Sequence, residues 1–206
     1  SAIMRGNKRS AALGGVVLVV FKDGAQGYKC LVAKRSAKNA TRAGALHLIP
    51  AFIFQPQSLE RAETDWSFKY HIYREYLEEL TGMPEDHPDN TRMETHPALQ
   101  DLKRMEAAGK AHIQLTGVTM NLLTLRAEIS AVLVIQDGEW WADLQSGKRG
   151  YQLDTPESAG TLLQIPIQSD AMALDALPDE YYLRMVPQAI PALWRGMDAA
   201  RALIAD

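Results

Sequence analysis

The chain has 206 residues, 47% of them hydrophobic and 23% charged, with 14 glycines and 10 prolines, which excludes collagen-like, largely disordered and disulfide-scaffold proteins. At this length one large domain, or one domain with appended elements, is favoured over two. A formal net charge of -3 gives no global attraction to nucleic acid or to an anionic membrane, and the longest apolar stretch, residues 13–21, falls short of the roughly 20 residues a membrane helix needs.

The run Val16-Val17-Leu18-Val19-Val20-Phe21 is β-branched and ends at Lys22-Asp23-Gly24. A second apolar run over residues 28–33 follows after a short polar gap, so the pair is expected to form a buried hairpin. Cys30, the single cysteine, lies inside that second run and is read as a small core residue. A polar loop leads to a third apolar run, residues 46–54, which Pro50 divides into two short extended pieces flanking a bend. Helical spacing takes over at residues 65–80, where Ile72, Tyr73, Tyr76, Leu77 and Leu80 recur at three- and four-residue steps, with Asp65 as N-cap and Gly82 as the stop.

Residues 84–97 hold three prolines without apolar periodicity and read as an exposed connector. A short amphipathic helix over 98–108, closed by Gly109, comes next. Strands are expected at about 112–123, 129–136 and 161–167, and a terminal helix at 192–204 with Leu193, Trp194, Met197 and Leu203 on its buried side. The order of strands, helix, strands, helix is that of an α+β domain on a mixed sheet.

Chemistry concentrates in Arg74-Glu75-Tyr76-Leu77-Glu78-Glu79. At roughly 100° per residue the three glutamates fall within about a 100° sector of one helix. Clustered like charges repel, so they need either solvent or a counter-cation, and hard carboxylate oxygens suit Mg²⁺ or Mn²⁺. A solvated acidic face and a metal site are both open on spacing alone. Lys34 and Arg35, at a strand end, are candidates for phosphate contact, and Trp140 of the Trp140-Trp141 pair is a candidate for stacking on a nucleobase, with burial in a hydrophobic cap as the alternative. The five histidines lack zinc-site spacing, and no P-loop, dinucleotide fingerprint or nucleophile elbow occurs.

The acidic segment resembles the Nudix box, in which G, five residues, E and seven residues precede R-E-U-x-E-E-x-G-U. Arg74, Glu75, Tyr76, Glu78 and Glu79 match, whereas Glu60 and Trp66 stand where the first Gly and Glu belong, and Thr81 delays the closing Gly by one residue. The apolar hairpin ending in Lys34-Arg35 and the stretch His47-Leu48-Ile49-Pro50-Ala51-Phe52, which looks like a Pro-Gly-Gly approach with both glycines replaced, extend the likeness over residues 14–135.

The resemblance implies a Nudix-like α/β/α sandwich with a mixed sheet, a single domain over residues 1–206 with its core at about 14–167 and a C-terminal helical extension at about 170–206. It further implies Mg²⁺-dependent (or Mn²⁺-dependent) hydrolysis of a diphosphate linkage in a nucleoside diphosphate derivative. Glu75, Glu78 and Glu79 would be metal ligands, joined by Glu128 from a later loop, with Glu75, Glu79 and Arg74 as the catalytic set. The alternative is a Nudix-fold domain that binds a ligand or regulates without turnover. A small nucleotide-type substrate, no nucleic acid and no membrane are the expected partners, a homodimer is left open, and the expected location is cytoplasmic. The loop residues Phe52, Phe54 and Leu59 are too apolar to be free and are expected to pack over the sheet and narrow the mouth of the site.

Overall fold

A computed structural model describes residues 12–35, 44–56, 59–84, 90–122, 125–154, 161–167 and 179–205. In chain order the elements of its first half are β1 (Leu13–Lys22), β2 (Tyr28–Lys34), β3 (Leu46–Leu48), β4 (Ala51–Ile53), α1 (Ala62–Asp65) and α2 (Phe68–Thr81). There follow α3 (Asn90–Thr95), α4 (Pro97–Ala107), β5 (Ala111–Met120), β6 (Ala127–Ile135), α5 (Trp140–Gln145), β7 (Thr161–Ile167), α6 (Asp179–Arg184) and α7 (Ala189–Ala205).

β1 is apolar from Leu13 to Phe21 because both of its faces are buried there, and only its last residue, Lys22, is exposed. Val17, Val19 and Phe21 enter one core and Val16, Leu18 and Val20 the other, so strand alternation leaves no position for a polar side chain between Val16 and Phe21. On the first face lie α2, α4 and α5, through Tyr76, Leu77, Leu99, Leu102 and Trp140. On the second lie Met185 and Val186 and the buried side of α7, Ala192, Leu193, Met197 and Ala200. The result is the α/β/α sandwich of the α+β class.

The sheet runs β3-β2-β1-β6-β5, with β4 also paired to β1 and β7 to β2. β1 and β6 are parallel from Leu13↔Ala127 to Phe21↔Ile135. The other edge of β1 is shared between β2, which takes Val20 to Lys22, and β4, which takes Gly14 to Val16. The hairpin therefore splays beyond its turn. β3, β4 and the Ile49-Pro50 bend fill the wedge, with Val17 N–H donating to the Pro50 carbonyl at 2.9 Å. Pro50 divides its apolar run into two short strands as expected.

Four expectations are corrected. Helix α2 begins at Phe68, and its N-cap is Ser67, whose Oγ accepts the Tyr70 N–H at 3.3 Å. Asp65 instead ends α1 and pairs with Arg61 at 3.1 Å, fully buried. Residues 90–95 of the supposed connector form a helix anchored by buried Met93, while residues 85–89 lie outside the described set. Trp194 is 46% exposed, because the buried stripe of α7 runs through Leu193, Gly196 and Met197 and leaves it on the outer side. Gly82 does stop α2, at φ 67° and ψ 22°, its N–H donating to the Leu77 carbonyl.

Candidate functional site

The splay of β1 from β2 opens a cavity of about 300 Å³ at the sheet end nearest the α2 C-terminus. Gly15 contributes from β1, Arg35 from the end of β2, His47 from β3, Ala51 and Phe52 from β4, Glu79 from α2, and Arg126 and Glu128 from the start of β6. Two arginines, two carboxylates and one imidazole thus share a space whose remaining walls are chiefly apolar.

Glu79 reaches this space because the last two turns of α2 pass over β4, where its Oε2 accepts the Ala51 N–H at 2.9 Å. Glu75 and Glu78 are differently engaged. Arg74 forms an ion pair with its neighbour Glu75, and Arg74 Nε lies 3.6 Å from Glu78 Oε1, all three side chains being largely buried. Burial works against the Arg74 charge, but the hydrogen bond and charge of Glu75, with the charge of Glu78, outweigh it and hold the guanidinium firmly protonated.

Glu128 stands opposite Gly14 across the parallel ladder, with Oε1 2.9 Å from Arg126 Nε. Burial raises its pKa, and Arg126 pulls the other way. His47 is 6% exposed, and its pKa falls to about 4 through burial first and then through the charges of Arg35 and, more weakly, Arg126, with the polarity of the Leu48 backbone opposing. It is neutral at pH 7.

Of the residues singled out in the sequence, Arg35, Glu79 and Glu128 come together at the cavity, and Arg74, Glu75 and Glu78 adjoin one another on α2. Lys34 is exposed and is not among the cavity residues. Trp140 is brought elsewhere. It is fully buried, 5.5 Å from the Phe21 ring centroid, and is part of the core rather than a platform for a base. Phe52 lines the cavity and stacks on His71 with centroids 5.7 Å apart, while Phe54 packs on Trp66, Phe68 and His71. The Leu59 side chain lies outside the described set. His47 and Arg126 escaped the sequence reading, although a histidine inside the otherwise apolar Leu46-His47-Leu48-Ile49 was a signal for the first.

The donor set does not suit the divalent ion that the resemblance implies. Among the described residues no three His, Cys, Asp or Glu side chains gather so as to hold a metal ion. Glu75 and Glu78 are shared with Arg74, and Glu79 with the Ala51 amide, so the residues do not fit a three-glutamate centre.

No family model matches the chain, and no curated protein matches its sequence. Among solved structures, a Nudix hydrolase from Alicyclobacillus acidocaldarius is similar at 14% identity and a TM-score of 0.48, over 95% of this chain and 97% of that one. The C-terminal domain of mouse MUTYH, solved in complex with human PCNA, gives 12% identity and a TM-score of 0.43 over 94% and 91% of the two chains. The Nudix hydrolase RenU from M. smegmatis gives 8% identity and 0.41 over 93% and 84%. No residue role is taken from any of them. The splayed hairpin, the strand-bend-strand leading to the Arg74-to-Glu79 helix and the following β5-β6 pair form the mixed-sheet α/β/α sandwich that the resemblance to the Nudix box implies.

Proposed function

We propose that the cavity binds a small phosphate-bearing ligand of the nucleoside diphosphate kind. The observation that carries this reading is the convergence of Arg35, Arg126 and buried, neutral His47 on one space of about 300 Å³. Guanidinium groups offer paired N–H donors in the plane that phosphate oxygens accept, and partial burial strengthens each such bond. A concave site on which a few polar groups converge is also the usual form of a small-molecule site.

Mg²⁺-dependent cleavage of a diphosphate linkage is the second reading. It is favoured by Glu79 and Glu128 lining the same space, since Mg²⁺ is commonly held by one or two carboxylates together with substrate phosphates. Binding without turnover is the better supported of the two, because the three box glutamates do not assemble as a metal site.

A nucleoside diphosphate panel titrated calorimetrically into the protein in EDTA, Mg²⁺ and Mn²⁺, with product release followed in parallel, separates the readings. We expect binding in the micromolar to millimolar range, weakened roughly tenfold or more by Arg126→Ala and unchanged by Lys34→Ala. Metal-dependent product release that Glu79→Gln abolishes would establish hydrolysis. Absence of binding across the panel would remove both readings.

A further inference from the structure

β2 and β3 are antiparallel with Ala33 opposite His47, and the Arg35 N–H donates to the Ala45 carbonyl at 2.8 Å, so the ladder continues past the end of β2. Residues two apart on a strand share a face. Arg35 therefore stands on the same face as His47, as its diagonal neighbour at about 7–8 Å between backbones. That distance leaves room for one small group between the two side chains.

Both side chains present a polar atom that the described residues leave unmatched. His47 Nδ1 and Arg35 Nε are buried and without a hydrogen-bond partner among the described residues, and both residues line the cavity. Burying such groups without partners costs free energy, so folded chains seldom keep them unless something else supplies the bond. The charged groups around them are Arg126 on the same side of the charge balance, with Glu79 from α2 and Glu128 from β6 opposing it. Arg126 is paired with Glu128 at 2.9 Å, so Arg35 is the cation on the β2–β3 wall to which an entering anion is drawn.

We propose that Arg35 Nε–H and His47 Nδ1–H form an anion subsite that donates two hydrogen bonds to one phosphate group of the bound ligand. The subsite rests on the pocket reading above and adds to it the wall on which the phosphate sits, which is the β2–β3 ladder rather than α2. A neutral imidazole serves as the donor in the tautomer that carries its proton on Nδ1, and an acceptor oxygen at that position selects that tautomer.

The test uses the full chain in EDTA with pyrophosphate and adenosine diphosphate as probes, read by calorimetry, and with melting midpoints to show that each variant is folded. His47→Leu keeps the volume and removes the donor, and it should weaken both probes about tenfold or more. His47→Asn should recover part of the loss, because its amide N–H stands near the place of Nδ1–H, and Arg35→Gln should weaken binding as His47→Leu does. Wild-type affinity in a folded His47→Leu, with Arg35→Gln and Arg126→Ala still weakened, would overturn the subsite while leaving the pocket reading intact. Failure of the wild-type chain to bind either probe at millimolar concentration would overturn both.

Discussion

A β-carbon added to Gly15 would lie 2.3 Å from the Phe52 ring, which is also packed against the rings of Phe68 and His71. The aromatic group cannot swing aside as the tip of a lysine would. Gly15→Ala should therefore destabilise the fold by about 1–3 kcal/mol, visible as a lower urea midpoint at unchanged slope, and Phe52→Leu in the same chain should return part of it. Residue chemistry at the site was only partly legible in the sequence. Arg35 stood out as a basic strand end and Glu79 as part of a motif. His47 and Arg126 did not, because what matters is that residues from β3 and β6 meet at one point, and no local pattern encodes that meeting. The same reasoning accounts for Trp140, whose neighbour in the chain is another tryptophan but whose neighbour in space is Phe21.

At the scale of elements, α2 shows how far local rules reach. Its Gly82 stop and its apolar stripe follow from spacing, and Pro50 between β3 and β4 follows from the donor that proline lacks. Two cap-type residues, Asp65 and Ser67, precede α2, and the choice between them is made by side-chain contacts that spacing does not reveal, the pairing of Asp65 with Arg61 and of its carbonyl with His71 Nε2 at 2.9 Å. The two residues should consequently respond differently. Ser67→Ala removes one cap bond and is expected to cost about 1 kcal/mol, with Ser67→Asp close to wild type, both read by chemical denaturation. α3 is hidden for a related reason, since a helix of six residues, with Met93 the buried anchor among its described side chains, is too short for a periodicity to show.

The sandwich as a whole was legible as a class but not as a topology. Hydrophobic runs mark strands, yet the parallel register of β1 with β6 joins segments more than a hundred residues apart, and α7 is the cover of the second core rather than an appendage to the first. Burial of His47, His71 and His96 has a consequence for the entire fold, because in each case it lowers the imidazole pKa. The unfolded chain takes up these protons first as pH falls below about 6.5, so stability is complete above that pH and is lost on descending toward 4. His47 alone, at about 4, accounts for about 3 kcal/mol across the full window, with Glu128 opposing at its lower end, where burial raises the carboxyl. Urea midpoints should fall between pH 7 and 5, and His47→Asn should flatten that slope. The parallel pairing also governs what happens during synthesis. A ribosome that has released β1 adds more than a hundred residues before β6 is available, on the order of ten seconds at roughly 5–20 residues per second. Throughout that interval the most apolar strand of the protein has one open edge, so adding a holding chaperone to an in vitro translation should raise the soluble yield.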